Sequence, residues 1–509
     1  MTKNKKRKKQ FNPIITILII TVFIIIISFI LNLIGFEAQK TTIVNNKLET
    51  SLITIKNIIS IDGIRFIFGN AITNYQILEP IGFLIVSLIG ISFMNYSGII
   101  KPISKPFAKL KNFALTFIVL IISYLFSFIG DYSFLLLMPL VALIYKEIDK
   151  NPVTGIVTVF LGLTLGYGSG FIFDYNSYLL GTMTEQAAVI DIDKNYKFHL
   201  ASNLYIMIST TIILSIIITY LIEKRIAPKL PKIKKEDIEV VEVEQEKNNH
   251  RGFIVSLIIF ILLIALTVYL IIPGLPYSGI LLDNDAPNYI VSLFSDNASF
   301  KEGLSYIILL IMVITSLIYG KISNNINRDK NFSNHLAPNL QGLGYTLAML
   351  FFISQLIAII NWTNLGEVIA ANLINFMASL EFSGVLLILT FFIITVIIGI
   401  FIPSAVAKWL LISPLIVPLF MRSNLTPEFT QFIFQMADGV GKAITPLFLY
   451  FIIMLGYVQN YVEEEKITIF GMYRILIPSI LAIAGILILV VVGWFIIGLP
   501  LGPYSYPAL

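Results

Sequence analysis

The chain is written as long apolar runs separated by short polar intervals. Runs at 14–33, 80–94, 204–221, 253–272, 304–318, 343–360 and 475–497 approach or reach the about 20 apolar residues that carry a helix across a bilayer. Two other stretches are paired arms. Residues 113–130 and 132–145 meet at Gly130-Asp131, and residues 384–402 and 404–420 meet at Pro403-Ser404. The arm 132–145 spans only about 21 Å as a helix, short for a full crossing, so each pair is expected to be a re-entrant hairpin. After each hairpin comes a helix interrupted by glycine and an aspartate. One covers 153–176, with LGYGSGFIFDYN at 165–176, and the other 427–457, with ADGVGKAITP at 437–446. The pattern predicts an all-α polytopic membrane protein with about nine transmembrane helices, two hairpins and broken helices in an inverted repeat.

Sidedness follows from basic residues. Residues 1–13 form a basic arm (Lys3, Lys5, Lys6, Arg7, Lys8, Lys9) expected in the cytoplasm against anionic lipid. The run behind it is too long for a signal-peptide core and is read as a retained first helix. The first half covers 14–222 with its hairpin at 113–145, and the second covers 253–509 with its hairpin at 384–420. Between them, 223–252 mixes Lys, Glu and Asp without apolar periodicity, which predicts a solvated cytoplasmic linker. Parity then brings the first hairpin in from the cytoplasm, the second from outside, and the C-terminus outside. Residues 35–79 are expected to be a polar, amphipathic outer connection, although Lys40, Lys47, Lys56 and Arg65 run against the charge rule there.

Composition narrows the classes further. The chain is 57% hydrophobic and 13% charged, which excludes a soluble globular domain, where about 25% of residues are charged. It has no cysteine, excluding disulfides and thiolate chemistry. The net charge of +5 resides in the basic arm and points to lipid rather than nucleic acid. His199, His250 and His335 fall in polar connections, so no histidine relay or metal site is expected. Matching breaks in two halves are the mark of a secondary transporter, because half-helix ends in hydrocarbon need a solvated, ligand-binding cavity.

Asp438 stands between apolar flanks, where a carboxylate costs about 2.5–3.5 kcal/mol on insertion scales. It is expected to bind a coupling cation or proton, or to pair with Lys442 one turn on. Asp174 is its counterpart in the first broken helix, or a solvated boundary residue. Lys408 and Trp409 on the second hairpin suggest a cavity for an anionic, aromatic or flat substrate, against snorkelling and core filling. Ser404 at the tip offers a hydroxyl, and Pro446 opens the helix beyond the aspartate. Asp131 reads equally as a functional tip residue or a turn residue. Gly162, Gly166, Gly168 and Gly170 predict close helix packing, with direct backbone contact to substrate as the alternative, rather than a filter or phosphate loop.

These residues resemble the AbgT family of p-aminobenzoyl-glutamate transporters. The resemblance rests on LLGTMTEQAA at 179, FFISQLIAIINWTNLG at 351, SAVAKW at 404, LTPEFTQ at 425, Asp438 with Pro446, and GLPLGP at 498. It implies a homodimer with nine spans and two hairpins per subunit. It also implies proton- or sodium-coupled movement of p-aminobenzoyl-glutamate and efflux of sulfonamide antimetabolites. Trp409, Asp438, Pro446, Lys408 and Ser404 match the family's functional positions. Val406, Gly399 and Pro403 replace its second serine, its asparagine and the glycine before its first serine. Gln435, a substrate-contact position by resemblance, replaces an arginine, and Ser177 stands at the acidic position of the first half. Asp174 is the candidate to compensate. The expected solute is a small anionic aromatic or a dicarboxylate, in the plasma membrane. The rival readings are an integral-membrane glycan polymerase or lipid-linked transferase, for which the loop 273–302 offers only Asp283, Asp285, Asp296, Lys301 and Glu302, and a passive channel.

Overall fold

A computed structural model describes residues 11–45, 47–173, 175–231, 233, 246–295, 297–326, 342–462 and 468–509. In chain order the elements are α1 (Pro13–Leu33), β1 (Glu37–Val44), β2 (Lys47–Thr54), α2 (Ile61–Gly69), α3 (Ala71–Gln76), α4 (Pro80–Ser97), α5 (Ile100–Ala108), α6 (Asn112–Phe126), α7 (Tyr132–Glu147), α8 (Pro152–Leu165), α9 (Tyr175–Asp191) and α10 (Leu204–Leu221). The second half adds α11 (Glu246–Ile271), α12 (Tyr289–Phe294), α13 (Ser299–Ile322), α14 (Leu343–Trp362), α15 (Leu365–Ser379), α16 (Gly384–Phe401), α17 (Ala405–Arg422), α18 (Pro427–Ala443), α19 (Leu449–Gln459) and α20 (Ile469–Ile497). Among the described residues, 10 helices are long and apolar enough to cross a membrane. Three of them contain arms of the paired stretches: α6, α16 and α17.

Burial separates two kinds of helix. Only 6% of the apolar window of α11 is buried, and 22% of that of α1 or α20. Helices so apolar and so bare are stable only in hydrocarbon. At the other extreme every residue of α8 is buried, as is every residue of α18 except Glu428. These two pack against each other at the centre, flanked by α7, α9, α16, α17 and α19. The interrupted helices thus form the core, and α1, α11 and α20 part of its rim.

Glycine permits the close approach of these elements. A Cβ at Gly439 would lie 2.5 Å from the Thr164 carbonyl oxygen, so α18 rests on the backbone of α8. At the end of α8, Gly162 packs on Leu120 and Ser123, and Gly166 on Tyr124, placing α6 against the same helix.

Residues 35–79 differ from the plain connection expected of them. β1 and β2 pair antiparallel, and α2 and α3 follow. The strand pair is held to α15, a short helix not foreseen from the sequence. Lys40 Nζ meets Glu367 Oε2 at 2.7 Å, and the amides of Asn372 and Asn375 donate to the Glu37 and Gln39 carbonyls at 3.0 and 2.8 Å. Lys40 therefore has an acidic partner on α15. The last residues also do structural work: the Thr426 N–H donates to the Pro507 carbonyl at 3.0 Å and its hydroxyl to that of Tyr506 at 2.7 Å. The tail thereby satisfies groups at the start of α18 that helix geometry leaves open.

Candidate functional site

Both paired stretches fold as helix, tight turn, helix. In the first, α6 runs into Gly130, which has a φ of 63°, and α7 starts at Tyr132. The Ser133 hydroxyl contacts the carbonyls of Phe126 and Gly130, each at 2.7 Å. In the second, the Ser404 side chain caps α17 by accepting from the Ala407 N–H at 3.3 Å. A serine thus tidies the backbone at each turn. Ser133 was not recognised from the sequence, since a serine after an apolar turn carries no distinctive spacing.

The first interrupted helix stops at Leu165 and resumes at Tyr175. Its non-helical backbone is tied down: the Gly170 N–H donates to Thr211 Oγ1 at 2.7 Å. Gly168, at a φ of 81°, presses on the Gln435 side chain, where an added Cβ would come within 2.6 Å of the Gln435 Cβ. The second interruption lies between α18 and α19. Pro446 sits within it, and the Thr445 hydroxyl donates to the Ile400 carbonyl at 2.8 Å, fastening the break to the end of α16.

Asp438 occupies the middle of the core with no exposed surface. Both carboxylate oxygens meet an ammonium: Lys408 Nζ contacts Oδ1, and Lys442 Nζ lies 2.9 Å from Oδ2. Lys408 is as fully buried as the aspartate, and Lys442 keeps 10% of its side chain exposed. The Lys442 ammonium also stands 3.8 Å from the centroid of the Tyr167 ring and 5.8 Å from that of Phe448, a cation held by aromatic faces as well as by charge. The three charges sum to +1. In a low-dielectric interior such a net charge seeks a counter-anion.

Beside this triad opens a small cleft of about 40 Å³. Its lining includes Asp131, Phe134, Tyr167, Ser169, Asn176 and Ser177. Asp131 is exposed to it. Gln435 borders it, its amide 3.5 Å from the Ser177 hydroxyl, and Gln431 accepts from Thr184 at 2.7 Å.

The expected placement of the other hairpin residues changes. Lys408 and Trp409 face protein rather than an open cavity. Trp409 has no exposed surface, its indole N–H donates to the Leu180 carbonyl at 3.1 Å and Thr184 Oγ1 at 3.0 Å, and its ring lies 4.5 Å from that of Phe434. Trp409 therefore links α17 to α9. Asp174, His335, the acidic turn 463–465 and, within the linker 223–252, residues 232 and 234–245 lie outside the described residues, and α11 already begins at Glu246 inside that linker. Among the described residues no cluster of histidine and carboxylate groups has the makings of a metal site.

Fold and site together define a multi-pass membrane protein that keeps charge and irregular backbone at its centre. The chain matches the AbgT putative transporter family over residues 6–509 and belongs to it, which makes it a membrane transporter and not an enzyme. It is 25% identical to the p-aminobenzoyl-glutamate transport protein of Escherichia coli (strain K12) over 502 residues, 98% of this chain and 94% of that one. Among solved structures it is similar to the YdaH transporter of Alcanivorax borkumensis, with 22% identity, a TM-score of 0.49, and 97% of this chain and 100% of that one covered. It is also similar to MtrF of Neisseria gonorrhoeae, described among antimetabolite efflux pumps, with 24% identity, a TM-score of 0.48 and 97% of each chain covered.

Proposed function

We propose that this protein is an ion-coupled secondary transporter for a small anionic aromatic or dicarboxylate-like solute such as p-aminobenzoyl-glutamate, with sulfonamide antimetabolites as candidate export substrates. The observation that carries the reading is Asp438, fully buried between Lys408 and Lys442 at the junction of an interrupted helix. A carboxylate whose two oxygens already hold ammonium groups has no vacant face for sodium in this state. The same two ammonium groups oppose protonation, so the coupling ion, proton or sodium, is expected to bind when one lysine moves off the carboxylate, and the surplus positive charge at Lys442 is available to a substrate carboxylate.

In this mechanism the two helical hairpins are re-entrant, in from opposite faces, and form with the interrupted helices a mobile core against whole spans. Access alternates as the hairpins exchange the cleft between sides. Ser404, Gln435 and Pro446 shape the substrate path, Trp409 positions α17 through α9, and Asp174 serves as the second acidic group. The protein works in the plasma membrane as a homodimer, with its N-terminus in the cytoplasm and its C-terminus outside.

The test is purified protein in liposomes, assayed with p-aminobenzoyl-glutamate, sulfonamides and dicarboxylates under separately imposed proton and sodium gradients. Asp438→Asn is expected to abolish gradient-driven flux while the protein elutes as the wild type on size exclusion. Normal transport by that variant removes Asp438 from the coupling role. Flux in the wild type that ignores both gradients would identify a passive channel instead.

A further inference from the structure

Asp131 lies at the turn of the first hairpin with its side chain on the cleft wall. Tyr450 at the start of α19 and Lys442 on α18 both act on its carboxylate electrostatically. The aromatic residues between make the connection physical. Phe134 lines the same cleft and stacks on Tyr450 at 4.6 Å, and Phe448 packs on both, at 5.7 Å from Phe134 and 5.2 Å from Tyr450. Lys442 stands over Tyr167, another wall of the cleft. Lys408, Asp438, Lys442 and Asp131 therefore form a set of charges alternating in sign. With all four ionised the set is neutral, and with Asp131 protonated it carries +1.

We infer that Asp131 is a second protonatable carboxylate of the transport path, and that its protonation releases the charge of Lys442 to bind an anion from the cleft. In the step a hydronium ion in the cleft gives its proton to the Asp131 carboxylate, one O–H bond forms, and a water molecule is left behind. The neutral carboxyl then no longer competes for Lys442, and a substrate carboxylate takes its place. Proton and anion binding are linked: each favours the other by the same factor. The inference rests on the anionic-substrate reading and gives it a proton site separate from Asp438.

The charged and titratable groups around Asp131 define the controls. Lys442 and Asp438 face it from α18, and Tyr450 from α19. Glu79, at the start of α4, lies within its field and is itself under that of Lys301 and Glu302 from α13. Tyr132 is next in sequence and near Glu79. Glu79 is a carboxylate outside the triad that interacts with Asp131, so Glu79→Gln is the necessary comparison.

Two measurements test the inference on full-length protein in lipid nanodiscs. In infrared difference spectra taken during acidification, a neutral-carboxyl carbonyl band is expected in the wild type and in Glu79→Gln, and its Asp131 component is expected to be lost in Asp131→Asn while an Asp438 component remains. Tyr450→Phe, which keeps the carboxylate and removes a neighbouring hydroxyl, is expected to shift the midpoint of that band. An unchanged band in Asp131→Asn overturns the inference. In direct binding of p-aminobenzoyl-glutamate, affinity in the wild type is expected to rise about tenfold between about pH 8 and about pH 6, within the usual range of coupling between sites. Asp131→Asn is expected to flatten that rise to less than about twofold, and a variant that keeps the full rise overturns the inference. If the Asp131 component is lost in Asp131→Asn but the wild type binds no p-aminobenzoyl-glutamate at any pH, the proton site stands and the substrate assignment falls.

Discussion

Gly399 and Gly441 meet backbone to backbone: a Cβ added to Gly441 would lie 3.0 Å from the Gly399 Cα and 2.9 Å from the Val396 carbonyl oxygen. This contact brings α16 against α18 one turn beyond Asp438. Backbone atoms have no rotamer through which to yield, so α16 itself must shift to admit a side chain.

Gly441→Ala is accordingly expected to cost about 1–3 kcal/mol, the range for overpacking a close-packed core. Fluorescence-detected thermal unfolding in detergent measures it. Gly485→Ala is the control, because a Cβ at Gly485 meets nothing within 4 Å. Equal unfolding temperatures for the two variants would show that the helices do not meet this closely.

The two lysines on Asp438 should separate in their effects. Lys408 is sealed from solvent and Lys442 is not. Lys408→Met strips a fully buried partner from the carboxylate, and breaking a buried pair from one side costs about 3–5 kcal/mol. Lys442→Met leaves Asp438 its pair with Lys408 and is expected to lower stability less, while abolishing binding of anionic substrates. Thermal unfolding beside p-aminobenzoyl-glutamate binding distinguishes the two. Greater destabilisation by Lys442→Met would reverse the assigned order.

Much of this was legible in the chain because lipid imposes simple rules. Runs of apolar residues must be helices, and an aspartate such as Asp438 inside one demands a partner. Lys442 could be paired with it from the i,i+4 spacing alone. Lys408 could not, because its contact joins two helices whose rotation about their axes leaves no trace in a uniformly apolar sequence. Trp409 stayed open between cavity and core for the same reason. A tryptophan far from a membrane edge reads as a cavity residue, yet Thr184 and Leu180 supply an acceptor within the core. The strand pair at 37–54 went unseen because its alternation is weak. Its polar faces are secured by Asn372, Asn375 and Glu367, residues more than three hundred positions away.

Trp409 offers the last prediction, since its indole N–H is the group that ties α17 to α9. Trp409→Phe keeps an aromatic ring against Phe434 but removes the donor, leaving the Leu180 carbonyl and the Thr184 hydroxyl each short of a partner. A buried polar group deprived of its partner costs about 1–3 kcal/mol. Thr184 retains its bonds to Gln431 and to the Leu180 carbonyl, so the loss is expected near the lower end. If Trp409 positions the helix and does not touch substrate, Trp409→Phe lowers the unfolding temperature while leaving p-aminobenzoyl-glutamate affinity within about twofold, a change worth under 0.5 kcal/mol by the usual conversion. A large loss of affinity with unchanged unfolding would place the indole in the substrate path and require α17 to turn during transport.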